Sequence, residues 1–435
     1  MIKSIMETAV DRDDALKKDY ADAPEAMRIL KVRQQTLYAY VSRGWIRSIR
    51  QSGRKDRLYL RGDLERMAAR SLARSGHGAV AASAMNWGEP IIPTTITEIT
   101  PQGPSYRGRL AVDLARMRTG FETVAELLWT GLWHEDSPSW KVEKASPELK
   151  RLTEALPALR ASDQILEVFA LVTLHLGIAR GTVAERIRGG RTLDAARQIV
   201  QTLVGCCGLV SPQGRFVPMK DGQTVVEGLM QALSVPATAE NNEAMESILT
   251  LLADHELSPG ALTARVSASS GGTLHSCVAS AICASSGVEI GRLYTRVGDF
   301  LDGKSTKAAL LQRAIQAQER GVMVPGFVHP LYPRGDPRGV YLLDVAKRRP
   351  DQSRPLTAAV AFAQEMQERF GLMPRHEFAI VALSRALGLS KHAPGALFVL
   401  ARTAGWVAHI QEQRLSGSLL RPRAKFVGAQ LNSTH

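Results

Sequence analysis

The chain has 435 residues, 45% of them hydrophobic and 22% charged, with a formal net charge of +13. That length exceeds one simple core and predicts two or three domains, and the composition is that of a soluble globular protein. The opening MIKSIMETAVDRDDALKKDY is too charged for a signal peptide, and no apolar run nears the roughly 18 residues of a membrane span.

A cytoplasmic protein is therefore expected. The four cysteines, Cys206, Cys207, Cys277 and Cys283, lack metal-ligand spacing and sit in apolar helical context. They read as reduced, buried thiols, and no metal site is expected. The placement of the positive charge is more informative than its size. Residues 28–70 hold 12 Lys/Arg against 3 Asp/Glu, a local balance of +9. Such a cluster is an electrostatic footprint for phosphates, whether in nucleic acid or in a small ligand.

In chain order, PEAMRIL predicts a short amphipathic helix with Met27, Ile29 and Leu30 inward. After a turn at KVRQQ, TLYAYVSRG reads as a second helix ended by Gly44. WIRSIRQSGRKDRLYL reads as two short strands around a Ser-Gly-Arg-Lys tip, and RGDLERMAAR returns to helix with Asp63 near its start. Helix, turn, helix, basic hairpin, helix is the order of a winged helix-turn-helix. The piece resembles the amino-terminal DNA-binding module of the MerR family, with TLYAYVSRG as recognition helix. The resemblance implies that Arg33, Gln34, Gln35, Tyr38, Arg43, Arg54, Lys55 and Arg57 reach bases or phosphates of a DNA partner. A small domain making protein contacts would show the same pattern. Residues 1–75 are expected as this domain. Residues 76–89, which overlap the small-residue run SLARSGHGAVAASAMN, are expected as a linker.

Beyond the linker, long apolar stretches are joined by short turns, with few strand signals after IIPTTITEI, and a predominantly α-helical body is expected. Four segments there carry chemistry. LLADHELSPG holds His255 between two acids, and VPGFVHPLYPRGDPRG presents His329 and then Arg338 on a Pro/Gly-stiffened loop. MPRHEFAIV contains Glu377, and LLRPRAKFVG contains Arg421 and Arg423. Arginine binds carboxylates through bidentate, charge-assisted hydrogen bonds, and histidine polarises a ketone by donating to its oxygen. Taken singly, each has a bland reading as a core or surface residue. Together they suit a small substrate with carboxylates, held in one pocket.

SYRGRLAVDLA, FETVAELLWTGLW, ADHEL, PGFVHPLYPRGDPR, RALGL, ARTAGWVAHIQEQ and RPRAKFVG occur in this order over about residues 90–430. In that order and over that span the chain resembles the citrate synthase family. The resemblance implies an all-α fold in which a large domain (90–285 and 380–435) and a small domain (286–379) surround a cleft, in a homodimer. It implies condensation of an acyl-CoA, acetyl-CoA or propionyl-CoA, with oxaloacetate, and no cofactor beyond the CoA thioester. Carried over by position, His255 binds oxaloacetate, His329 donates to its ketone oxygen, and Arg338 and Arg421 hold its carboxylates. Val324, Pro325, Gly326 and Phe327 pass close to CoA, and Glu377 stands for the catalytic aspartate.

One stretch departs from the family. Residues 285–296 read SSGVEIGRLYTR where the family has GPLHGG, so Ile290 replaces the histidine that meets the thioester enol, and Val288 replaces the proline. Isoleucine has no donor, and loss of one such donor costs about 10² to 10³ in rate. The nearest upstream histidine, His275, lies about four helical turns away, roughly 22 Å along an ideal helix. Three readings follow: a condensing enzyme weakened at Ile290 and Glu377, a DNA-binding regulator that senses acyl-CoA or a dicarboxylate, and a non-catalytic subunit of a citrate synthase-like partner.

Overall fold

The computed structural model describes residues 20–42, 46, 48–50, 57–72, 92–156, 164–180, 191–302, 306–350 and 353–422. The chain divides into two compact units. The first comprises Met1–Thr95, Ile99–Gly103 and Arg292–Pro394, and the second Ile96–Glu98, Pro104–Gly291 and Gly395–His435.

Residues 20–72 follow the order β1 (Tyr20–Ala21), α1 (Ala23–Leu30), α2 (Gln34–Ser42), β2 (Ser48–Arg50), β3 (Arg57–Leu60) and α3 (Arg61–Leu72). Strand β3 lies between β1 and β2, antiparallel to both. Helix α1 starts where the Asp22 carboxylate accepts the Glu25 N–H at 2.8 Å, with Pro24 in the first turn, and stops at left-handed Lys31 (φ 53). Its inward residues are Ala26 and Leu30, which join Leu37, Ile46, Tyr59 and Leu64 in a core of their own. Met27 and Ile29, expected inward, pack at the margin of that core and stay partly exposed. Helix α2 begins earlier than expected because the N–H groups of Thr36 and Leu37 both donate to Arg33 O, at 3.0 and 3.2 Å. Gln34 and Gln35 therefore sit on its first turn.

Next along the chain comes the meander β4 (Thr97–Thr100), β5 (Gly103–Tyr106) and β6 (Arg109–Leu110). Helices follow as α4 (Ala111–Arg116), α5 (Phe121–Thr130), α6 (Pro147–Ala155), α7 (Ile165–Arg180) and α8 (Arg191–Cys206), which runs into a 3₁₀ turn at Cys207–Val210. Next come α9 (Val225–Leu233), α10 (Ala239–Leu252), α11 (Pro259–Ser269) and α12 (Leu274–Ser285). Polar residues set their starts: Ser146, Thr224, Thr238 and Thr273 each accept a first-turn N–H, and at α9 Glu227 reciprocates to complete a capping box.

Helix α12 packs against both α7 and α11. Close approach there needs glycine. A Cβ on Gly177 would lie 2.8 Å from His275 Cβ, and one on Gly260 would lie 2.6 Å from Ser285 Oγ. Cys206, Cys207 and Cys277 are buried as expected. Burial pushes the Cys207 thiol up to about 12 and Cys206 higher still. Cys283 is exposed, against expectation. Six residues beyond Cys277, the helix has turned by about 240° and the side chain faces solvent.

The chain then enters the first unit with α13 (Leu293–Phe300), α14 (Lys307–Glu319), α15 (Pro337–Arg348), α16 (Arg354–Phe370) and α17 (His376–Ala386). It returns to the second with α18 (Ala393–Ser416). The divisions fall after Gly291 and after Pro394, where the sequence placed them at 285 and 379. Residue 379 lies inside α17, which packs on α13, α15 and α16 and stays with them. Among the described residues no helix is long and apolar enough to cross a membrane.

Candidate active site

The loop 321–336 of the first unit is pressed onto α17. The Arg375 N–H donates to Gly326 O at 2.7 Å, and the Val328 N–H donates to Met373 O at 3.1 Å. Gly326 (φ +80) has no room for a side chain, since a Cβ would lie 2.9 Å from Phe378 Cβ. Val328 is left-handed at φ +60, a conformation that costs an L-residue about 1–2 kcal/mol. Phe327 packs edge-on to Phe362 and against Phe378, at 5.7 and 5.1 Å between centroids. The side chains of Val324 and Phe327 are thus buried.

His329 leaves this fixed backbone buried. The Leu331 N–H donates to its Nδ1 at 3.1 Å, so the neutral ring carries its hydrogen on Nε2. Burial first, then the charges of Arg338 and Arg375, push its pKa down to about 3. At neutral pH His329 is therefore an uncharged N–H donor.

Asp336 caps α15 and serves as the hub of the same cluster. Its carboxylate receives Arg338 Nε–H at 2.9 Å and Nη2–H at 3.0 Å, together with the Arg338 and His376 backbone N–H groups. His376 Nδ1 lies 2.9 Å from Oδ2. Burial alone would push Asp336 up, but Arg338 and His376 outweigh it and hold the carboxyl well below the usual range. Burial and Arg338 lower the His376 pKa, so a neutral ring donates from Nδ1 to this carboxylate. Arg338 Nη1 is buried without a hydrogen-bond partner, which leaves one edge of a fixed guanidinium for a ligand oxygen.

Glu377, in the first turn of α17, is buried. Arg375 holds it with two bonds, Nε–H to Oε2 at 3.0 Å and Nη2–H to Oε1 at 2.6 Å.

In the second unit, Tyr106 Oη donates to Thr250 O at 3.1 Å and accepts the Asp254 N–H at 3.3 Å, pinning the end of α10. Asp254 is fully buried, and the Glu256 N–H (φ +55) donates to its Oδ2 at 3.1 Å. His409 Nε2 lies 3.4 Å from the same oxygen. Arg265 Nε–H donates to His409 Nδ1 at 2.9 Å, and the guanidinium also meets Glu412 and Gln413. That donation makes Nδ1 the acceptor, and Nε2 faces Asp254. Gly405 is obligatory beside this network, since a Cβ would come within 2.1 Å of Asp254 Oδ1. Asp254 thus fixes the turn that carries His255, itself 8% exposed.

The turn after α12 is closed by its own backbone. The Ile290 N–H donates to Gly287 O at 3.2 Å, and a Cβ on Gly291 would lie 2.6 Å from both Leu166 Cδ1 and Ser285 O. Val288 and Glu289 are exposed, Ile290 is partly exposed, and His275 at the far end of α12 is buried.

Of the residues expected from sequence, His329, Arg338 and Glu377 come together within one unit. His255 is buried in the other unit, where Arg421 is exposed. Asp336, Arg375 and His376 lay unremarked inside the quoted segments. Asp336 had a signal, an Asp-Pro pair at a helix start. His409 stands inside the motif ARTAGWVAHIQEQ, whereas Arg265 had no signal. On the basic module, Arg33, Gln34, Gln35 and Tyr38 are exposed. Gln34 Nε2 donates to Tyr38 Oη at 2.7 Å, and Arg57 donates to Ser48 Oγ at 3.3 Å. Arg43, Arg54 and Lys55 lie outside the described residues.

Residues 85–423 match the family model "Citrate synthase, C-terminal domain". Citrate synthase 2 of Bacillus subtilis is 29% identical over 196 residues, 43% of this chain and 51% of that protein, so this match spans about half the relative's length. 2-Methylcitrate synthase 2 of Corynebacterium glutamicum is 27% identical over 366 residues, 78% of this chain and 92% of that protein. Among solved structures, the citrate synthase of Thermoplasma acidophilum, a ternary complex with carboxymethyl coenzyme A and oxaloacetate, aligns with a TM-score of 0.68. That of Thermotoga maritima aligns with 0.61. Each is 20% identical and covers 80% of this chain and 96% of the other, which shows the fold. Together with a family match across most of the sequence, this fold establishes that the chain belongs to the citrate synthase family.

Proposed function

We propose that the chain binds oxaloacetate and an acyl-CoA, acetyl-CoA or propionyl-CoA, and condenses them slowly. One observation carries the reading: a neutral His329 with its hydrogen on Nε2, next to an Arg338 whose Nη1 has no partner. An imidazole N–H suits the ketone oxygen, and a guanidinium edge suits the neighbouring carboxylate. On the family's pattern His255 and Arg421 supply further contacts to oxaloacetate, and residues 324–327 lie along CoA. Catalysis is weakened because Ile290 offers the enolate no donor, a deficit of about 10² to 10³. Calorimetry should detect oxaloacetate or citrate binding, while thiol release from acetyl-CoA and propionyl-CoA stays at least about 10²-fold below a family member with the histidine. Turnover equal to such a member would defeat the weakened-enzyme reading, and absence of binding would defeat the ligand assignment. Activity that appears only with an added citrate synthase-like subunit would favour the non-catalytic role.

The reading includes a cytoplasmic homodimer. Leu171, Leu174 and Ile178 on α7, with Val266 on α11, are exposed apolar residues available to a second copy.

A second reading, a DNA-binding regulator, is supported by residues 20–72, which have their own core and an exposed Arg33, Gln34, Gln35 and Tyr38. With about six phosphate contacts, duplex affinity of the full chain should fall roughly 10³-fold between 50 and 200 mM salt. Salt-insensitive or absent binding would move the module to protein contacts.

A further inference from the structure

Glu377 occupies the family's base position, yet its surroundings differ from those a base requires. Arg375 immediately precedes α17, and its backbone is tied down through the bond to Gly326 O at 2.7 Å. Its guanidinium engages both oxygens of Glu377, and His376 Nδ1 lies 3.3 Å from Oε2. The charged and titratable groups around Glu377 are Arg375 and His376 from its own element, His329 from the 321–336 loop, and Asp336 with Arg338 at the start of α15. Burial alone would push the carboxyl up, but Arg375 foremost carries it down to about 2.

In the proposed condensation, the acyl α-carbon's C–H bond breaks and an O–H bond forms on Glu377. The electron pair moves into the enolate, whose charge rests on the thioester oxygen. An effective base has a lone pair aimed at the proton and a pKa near the working pH. Here each oxygen already accepts an Arg375 N–H, and protonation would forfeit a bidentate ion pair in a buried setting. We infer that Arg375 is a positioning residue that keeps Glu377 as an ion-pair partner and withholds it from α-proton abstraction, a second restraint on condensation alongside Ile290. This inference rests on the function proposed above.

The test uses the full chain carrying Ile290→His, compared with the same chain bearing Arg375→Asn or Arg375→Lys. Two quantities are measured: α-hydron exchange of acetyl-CoA in D₂O with oxaloacetate present, and the ¹³C titration of the Glu377 carboxyl, identified by Glu377→Gln. Arg375→Asn should raise exchange about tenfold and bring the Glu377 titration above about pH 4.5, where the parent is flat. Arg375→Lys, which keeps the charge but not the fork, should fall between the two. Unchanged exchange and titration in Arg375→Asn would overturn the inference. If that variant does not fold, a parent Glu377 that titrates above about pH 4.5 would overturn it equally. Failure of the functional reading looks different: neither oxaloacetate nor acetyl-CoA binds by calorimetry, while the Glu377 titration still responds to Arg375.

Discussion

Ile290→His is expected to raise α-hydron exchange and condensation of acetyl-CoA by about 10²-fold, toward the lower end of the 10² to 10³ that one oxyanion donor supplies. The lower end applies because Glu377 remains in its ion pair, and residues that act as a unit do not contribute independently. The turn that carries residue 290 is well fixed. Ile290 N–H closes the turn onto Gly287 O, and Gly291 is wedged against Leu166 and the Ser285 carbonyl. Ile290 is partly exposed, which leaves space for a polar ring. Exchange followed by NMR reports enolisation, and thiol release reports the full reaction. A variant no faster than the parent in either assay would mean that this turn does not face the thioester.

Arg338→Met is expected to lower stability by about 3–5 kcal/mol, because it strips a fully buried carboxylate of its cation. Asp336 and Arg338 are both essentially inaccessible, and Arg338 supplies two of the side-chain bonds to Asp336. The effect carries a pH signature. In the parent, Asp336 is held below its ordinary value, so it adds stability at neutral pH that is lost as pH falls through the folded value. In the variant, burial raises the Asp336 pKa instead, so destabilisation sets in as pH rises through the new value. The gap between parent and variant should be widest near pH 8 and shrink toward about pH 5. Denaturant midpoints at the two pH values measure it. A gap independent of pH would trace the loss to packing and not to the stranded charge. Oxaloacetate binding should vanish in the same variant, while Arg338→Lys, without the fork, should recover part of the stability and little of the binding.

Much of the fold was legible because it depends on local rules. Ser, Thr and Asp residues before apolar runs mark helix starts, and the two-helix, hairpin, helix order of residues 20–72 appears as read. The errors were local too. Helix α2 starts at Gln34, since a first turn wound from the Arg33 carbonyl leaves no mark on residue type. Cys283 faces solvent, since apolar composition does not say which way one side chain of α12 points.

The sequence by itself determined the family and the helical body, because both follow from residue types in a fixed order. Only the tertiary structure decided how the remaining charges are used. Asp336 gathers Arg338 and His376, Arg375 closes on Glu377, and His409 meets Asp254 across 155 residues of chain. Such pairings depend on which side chains the packing turns toward each other in a dry interior. There a carboxylate takes the nearest well-aligned donor, and separation along the chain carries no weight.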